Sequence, residues 1–266
     1  MQRIFSDDAE IFYDVAGAGS PVLLLHPFPL NHEFWIPVSR FLSSRYRLIM
    51  PDLRGHGESG LGDGPATMQK HVFDLVSILN DADVERVPVV GVSIGGYIIF
   101  EFWRHFRDRI SALVLCNTKA QADSPEARNA RLESANDVLQ RGTGSFFEGM
   151  AKKCLGETTK YLRPDLVEGA LRMMRKMSAE DVAGVQRGMA ARPDSMSTLK
   201  TINISTLIIT GDEDKMTGVP EAELMKQNVQ NSQLKVVSKA GHYSPWEQPE
   251  EVGRILRQFF DSGYGK

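Results

Sequence analysis

The sequence predicts an α/β protein: a mostly parallel central sheet flanked by helices, interrupted by a helical insertion. Three observations predict it. Short apolar runs alternate with amphipathic stretches, the pattern of strands buried on both faces and joined by crossover helices. The alternation stops near Lys119 and resumes at Thr206, with only helix-like segments between. One apolar run, Val87-Pro88-Val89-Val90, ends in Gly91-Val92-Ser93-Ile94-Gly95-Gly96 and passes straight into a helical pattern. A strand–turn–helix of that kind bends so tightly that it lifts a serine hydroxyl clear of the sheet.

Taken in order, residues 2–15 read as two strands about Ser6-Asp7-Asp8, with Ile11, Tyr13 and Val15 alternating with Phe12 and Asp14. Gly17-Ala18-Gly19-Ser20-Pro21 breaks the pattern, and Val22-Leu23-Leu24-Leu25 is a buried strand. The turn-rich His26-Pro27-Phe28-Pro29-Leu30-Asn31 follows, then a helix from Phe34 to Ser44 and a strand from Tyr46 to Met50. Thr67 is placed to cap a helix with Met68, Val72, Leu75, Val76 and Leu79 on its apolar face. After the serine-bearing strand and a helix over 94–106 comes another apolar strand, Ala112 to Cys116. In the insertion, Ser124-Pro125-Glu126 and Pro164 mark helix starts, Ser178 to Asp181 forms a capping box, and Gly142 to Gly144 separates helices. Its methionines (Met150, Met173, Met174, Met177, Met189, Met196) suit core packing first and an adaptable apolar pocket second. The chain closes with a strand over Thr206–Thr210, a helix around Pro220–Val229, a strand over Leu234–Val237 and a helix at about 248–262.

At 266 residues the chain can bury one large core plus an inserted subdomain. The expected division is a core of residues 1–117 and 201–266 with a helical cap over 118–200. The net charge of −3, with no basic run, makes nucleic acid and anionic membrane poor partners. A small molecule is the expected partner, and the chain is expected as a monomer or homodimer. Cys116 and Cys154 lie in no CxxC pair and read as buried thiols. No apolar run is long enough to span a bilayer, and none follows Met1 as a secretion signal would, so a soluble cytoplasmic protein is expected. His-Glu-x-x-His, a dinucleotide-type Gly-x-Gly-x-x-Gly and a P-loop are all missing, so neither metal nor cofactor is expected.

In open parallel sheets, reactive groups collect in the loops after the strands. Four such loops carry what acyl transfer through a serine needs. They offer backbone N–H donors near Phe28, then Ser93, then Asp214, then His242, in the order Ser, Asp, His. A serine hydroxyl is a weak nucleophile until a base takes its proton, and an imidazole held by a carboxylate is such a base. By chance a chain this long contains a bare Gly-x-Ser-x-Gly roughly 0.1–0.2 times, so the later Asp and His matter to the reading.

Together His26-Pro27-Phe28-Pro29, Asp52-Leu-Arg-Gly-His-Gly-Glu-Ser59, Gly91-Val-Ser-Ile-Gly-Gly96, Gly211-Asp-Glu-Asp214 and Ala240-Gly-His242 resemble the α/β-hydrolase fold along the whole chain. Within that fold the chain is similar to the small bacterial 3-oxoadipate enol-lactonase-like ester hydrolases and the cofactor-free haloperoxidase/perhydrolase group. The resemblance implies Ser93 as nucleophile, His242 as general base and Asp214 as its orienting acid, with the N–H groups of Phe28 and Ile94 receiving the oxyanion. It implies cleavage of a small carboxylic ester or lactone through an acyl-enzyme, without cofactor. Asp212 is the rival acid; the family pattern, third after the glycine, favours Asp214. Asn117 stands where some relatives keep their acid. His26-Pro27 replaces the His-Gly of many relatives, but the donor is the following residue, so the hole survives.

Two other functions share these residues: perhydrolysis, with peroxide as acyl acceptor, and a low-turnover ligand-binding or signalling protein. A haloalkane dehalogenase needs a carboxylate where Ser93 stands. Among the other polar residues, His26 and His56 read as loop-structuring. His32, His71 and His105 read as solvated or hydrogen-bonded helix-face residues, and Asp52 and Arg54 as an ion pair bracing their own loop. The insertion's many arginines, Arg131 and Arg192 among them, are for the most part solvated faces; one turned inward would select an anionic substrate.

Overall fold

The computed structural model describes residues 1–263. Its sheet has eight strands: β1 (Gln2–Ser6), β2 (Ala9–Ala16), β3 (Ser20–Leu25), β4 (Tyr46–Pro51), β5 (Val87–Val92), β6 (Ile110–Cys116), β7 (Thr206–Gly211) and β8 (Ser232–Val237). Their spatial order is β1-β2-β4-β3-β5-β6-β7-β8. The pairs β1–β2 and β2–β4 are antiparallel, and every later pair is parallel. β5 is buried along its whole length, which is why it reads as an unbroken apolar run.

Helices connect the strands: α1 (Ile36–Leu42), α2 (Met68–Asp81), α3 (Ile94–Phe106), then α4 (Pro125–Arg141), α5 (Gly144–Cys154), α6 (Glu157–Leu162), α7 (Pro164–Met174), α8 (Ala179–Ala190) and α9 (Met196–Leu199) between β6 and β7, and finally α10 (Val219–Asn228), α11 (Ser244–Glu247) and α12 (Pro249–Asp261). One predicted helix is broken in two. Pro37 sits at the second position of α1, so the predicted Phe34–Ser44 helix divides into a 3₁₀ turn over His32–Trp35 and α1. The closing helix is found where it is expected, as α12 with Pro249 at its first position, and the short α11 before it was not predicted. The predicted caps are in place. Thr67 Oγ1 accepts from Lys70 N–H at 3.2 Å, Ser124 Oγ from Ala127 N–H at 3.2 Å, and Ser178 and Asp181 cap each other reciprocally.

Topology places the functional end. From β3 the chain crosses to β4 on one side, and from β4 it returns past β3 to β5 on the other. With right-handed crossovers, α1 and α2 therefore cover opposite faces. The reversal leaves a crevice beyond the carboxyl ends of β3 and β5, where the loops holding Phe28 and Ser93 leave the sheet.

Below that crevice lies a buried polar layer that differs from expectation. Asp52 braces its own loop by accepting Glu58 N–H at 2.9 Å, but its ionic partner is His32, whose Nδ1 lies 2.7 Å away. Arg54 does not pair with it. The Arg54 guanidinium forks onto Asp74 of α2 at 2.9 and 2.6 Å and also reaches Asp8, joining three segments. His26 structures its loop as expected, its Nε2 receiving Leu53 N–H at 2.9 Å. His105 meets Glu101 at 3.1 Å.

His71 is neither solvated nor hydrogen-bonded: it is 1 % exposed and neither ring nitrogen has a partner among the described residues. Burial pushes the imidazole of His26 down to about 3, that of His56 down to about 4, and that of His71 well below its ordinary range. An unfolded chain titrates its histidines near 6.5. As pH falls below about 6.5 the unfolded state therefore takes up protons that the folded state refuses, until the folded-state values are reached. Stability present above that pH is lost through this window at up to about 1.4 kcal/mol per pH unit for each histidine. We expect His71→Leu to flatten the slope of unfolding free energy between about pH 6.5 and 4 by one such increment. Urea titrations across that range check it, and an unchanged slope would mean that His71 is already protonated in the folded protein.

Candidate active site

Each expected residue lies at the carboxyl end of its strand. Ser93 follows β5 and is the residue before α3, with φ 56° and ψ −111°. That region is nearly closed to a residue with a side chain and costs of order 1–3 kcal/mol. Close backbone approach enforces it, because a Cβ on Gly91 would lie 2.5 Å from the backbone of Gly95. The bend is pinned by Ser93 N–H to Cys116 O at 3.1 Å and by Thr118 Oγ1 donating to Ser93 O at 2.8 Å.

Asp214 lies three residues beyond β7 and His242 five beyond β8. The structure brings them together: His242 Nδ1 is 2.9 Å from Asp214 Oδ2, the geometry in which Nδ1–H donates to the carboxylate. Asp214 also accepts from Met216 N–H at 2.8 Å, from Thr217 N–H and Oγ1 at 3.1 Å each, and from Asn117 Nδ2 at 2.9 Å. Burial opposes its ionisation, but the adjacent His242 and these donors hold the carboxyl well below the usual carboxylate range. Asp212, the rival acid, reaches only the backbone of Ala240 among the described residues, at 3.4 Å. His242 Nε2 is buried and has no hydrogen-bond partner among the described residues. His242, Ser93 and Phe28 line one cavity of about 410 Å³.

The N–H groups of Phe28 and Ile94 donate to no backbone acceptor among the described residues. The carbonyl of Phe28 is held instead, accepting Tyr243 Oη–H at 3.2 Å. Residues between β6 and β7 supply the cavity's outer wall. Phe146, Met150 and Met189 line it, whereas Met173, Met174 and Met177 are buried in the core, so the methionines divide between the two expected uses. Arg131 reaches the wall, but its Nε is 2.6 Å from Asp123 and its Nη1 donates to Gln186 at 3.0 Å. Arg192 closes on the same carboxylate at 2.6 and 2.8 Å and stacks over Tyr97 at 4.1 Å. Burial works against Asp123 as well, yet Arg192 and Arg131 keep it firmly ionised.

Sequence reasoning weighed Asn117 only as a missing acid. The structure makes it a donor to Asp214, with its Oδ1 accepting from Ser244. Its place at the end of β6, beside the acid strand, was the signal available. The role of Tyr243 could not be read in advance, because Phe28 lies 215 residues away. Among the described residues no group of three or more His, Cys, Asp or Glu is arranged to hold a metal ion, and no helix is long and apolar enough to cross a membrane.

Comparison with known proteins agrees with this fold. Residues 20–249 match the model of the alpha/beta hydrolase fold family. The chain is 28% identical over 232 residues to 3-oxoadipate enol-lactonase 1 of Acinetobacter baylyi, covering 87% of this chain and 85% of that one. It is 27% identical over 271 residues to a non-heme haloperoxidase of Rhodococcus erythropolis, covering 97% and 98%. A thermophilic esterase from Thermogutta terrifontis, solved with malate bound, superposes with a TM-score of 0.95 at 36% identity, over 98% of this chain and 99% of that one. A match across most of the chain, on a sheet of this order and with a serine on its strained turn, means that the chain belongs to the alpha/beta hydrolase fold family.

Proposed function

We propose that this chain is a serine hydrolase that cleaves a small carboxylic ester or lactone through an acyl-enzyme on Ser93. The observation that carries the reading is the contact of Asp214 Oδ2 with His242 Nδ1 at 2.9 Å, with Nε2 left unpaired among the described residues and Ser93 lining the same cavity. In the first step Ser93 Oγ attacks the carbonyl carbon while His242 Nε2 takes its proton, and Asp214 stabilises the imidazolium. The carbonyl oxygen becomes an oxyanion received by the N–H groups of Ile94 and Phe28. Each such donor contributes about 2.7–4 kcal/mol to the transition state in comparable enzymes. The imidazolium then protonates the leaving alcohol, or the ring oxygen of a lactone. Water, deprotonated by the same imidazole, releases the acid and restores Ser93.

The cavity's volume and apolar wall suit a short acyl chain. Lys119, Arg131, Lys153 and Lys215 line it; Asp123 pairs with the first two and Glu157 with Lys215, while Lys153 pairs with no carboxylate among the described residues. That excess of positive charge, in a chain whose net charge is −3, favours a substrate with an acidic group away from the reacting carbonyl. The malate-bound esterase supports the same direction.

Perhydrolysis is the second reading. His26-Pro27-Phe28-Pro29-Leu30 and the likeness to a haloperoxidase favour it, and it differs only in which acceptor meets the acyl-enzyme.

Ser93→Ala should lower turnover of p-nitrophenyl acetate by a factor of about 10³ or more, with the fold intact by circular dichroism. A phosphonate probe should label Ser93, and undiminished turnover in the variant would end this reading. Monomethyl succinate should be cleaved with a higher kcat/KM than methyl butyrate, by about tenfold at low salt, and the margin should shrink as salt rises. Equal rates at all salt concentrations would remove the acidic substrate. In acetate ester and hydrogen peroxide, a perhydrolase should accumulate peracetic acid; hydrolysis without detectable peracid leaves water as the acceptor.

A further inference from the structure

The carboxyl group of Glu247, which the acyl-transfer steps do not use, is 3 % exposed, and no Lys, Arg or His pairs with it among the described residues. Apart from the Thr159 side chain, its donors are peptide groups. Oε1 accepts from Gly241 N–H at 3.0 Å and from Tyr243 N–H at 3.1 Å, the residues on either side of His242. Oε2 accepts from Gly156 N–H at 2.8 Å, in the junction between α5 and α6. One carboxylate therefore spans from the loop of the imidazole to the inserted helices. The two backbones meet closely there: His242 N–H donates to Cys154 O at 2.7 Å, and a Cβ on Gly241 would lie 2.3 Å from Gly156 N. Glu213, the neighbour of Asp214, accepts from Thr158 N–H at 2.8 Å, so the same junction also touches the loop of the acid.

A buried carboxylate without a counter-ion is costly unless its hydrogen bonds are well made. Here burial pushes the Glu247 carboxyl above its ordinary range, while Thr159 and these peptide donors favour the ionised form. A loop that needed only to be capped would use the bonds from Gly241 and Tyr243. The bond to Gly156, 91 residues away in the chain, makes no sense as a local cap.

We propose that Glu247 is a positioning residue that ties His242 to the insertion, so that the imidazole stands in line with Ser93 only while the Cys154–Gly156 segment is seated. The proposal rests on the reading of His242 as the base. Seating of α5, which also carries Phe146 and Met150 on the cavity wall, and placement of the base are then one event. Filling of the cavity by substrate and readiness of the relay are then coupled across this joint, in which Glu247 is joined by the direct bond from His242 N–H to Cys154 O.

Glu247→Gln keeps the size of the side chain but replaces one acceptor oxygen by a donor facing a peptide N–H. We expect kcat on p-nitrophenyl acetate to fall about tenfold to a hundredfold, with KM within about twofold. Amide hydrogen exchange should quicken together over residues 240–248 and 154–159. Gly156→Ala reaches the same joint from the other side with Glu247 unchanged, since its Cβ would lie 2.5 Å from Glu213 Oε2, 2.8 Å from Gly241 N and 3.1 Å from Glu247 Oε2, so Glu213→Gln, which leaves Gly156 and Glu247 in place, is measured beside it and should not reproduce the exchange signature over 240–248. Gly156→Ala should give the same kinetic and exchange signature as Glu247→Gln, and it decides the matter if Glu247→Gln does not fold. Unchanged kcat in folded variants overturns the proposal. So does faster exchange over 240–248 alone, which would reduce Glu247 to a cap of its own loop. Wild-type protein that neither turns over esters nor takes the phosphonate label on Ser93 defeats the hydrolase reading instead, and the exchange experiment still tests the tie.

Discussion

The site depends on one strained residue. Ser93 is held at a positive φ because the chain must turn from a buried strand into a helix within two residues, and only glycines on either side let the backbones touch. The strain is met by the surroundings: β3 and β6 pair with β5 on its two sides, and Cys116 and Thr118 bond the serine's own peptide groups. Burial of so many apolar side chains on the two sheet faces supplies the excess stability from which a local cost of a few kcal/mol can be met.

Around that fixed point the polar groups are arranged by burial and compensation. Asp214 is surrounded by donors from four residues, so its charge survives in a place where water cannot solvate it. Asn117 fills a gap that a carboxylate could not, since two buried carboxylates that close would compete for the same proton. Deeper in the molecule, Arg54 with Asp74 and Asp8, and His32 with Asp52, lock the loops beneath Phe28. The neutral histidines among them owe their state to exclusion of water rather than to a partner.

The inserted helices do more than roof the cavity. Asp123 gathers Arg131 and Arg192 into a buried knot that fixes α4 against the end of α8 and presents charge to the cavity. At the far side, the α5–α6 junction lies against the loops of both Asp214 and His242. The wall that shapes the substrate space and the loops that carry the relay therefore share hydrogen bonds.

Most of the architecture was legible from the chain alone, because it rests on local signals. Strands buried on both faces leave continuous apolar runs, capping residues mark helix starts, and the glycines about Ser93 follow from steric demands within five residues. Ser93, Asp214 and His242 could be nominated because each lies in the loop that follows a strand. The helix break before Pro37 was a local signal too, but it was outweighed by apolar spacing. What only the tertiary structure decided are the partners: Asp52 with His32, Arg54 with Asp74, Asn117 with Asp214, Tyr243 with Phe28 and Glu247 with Gly156. No periodicity encodes such pairs, since each joins segments brought together by the crossover order of the sheet. His71 makes the same point, because whether a histidine on a helix meets water, a carboxylate or neither is set by what packs over it.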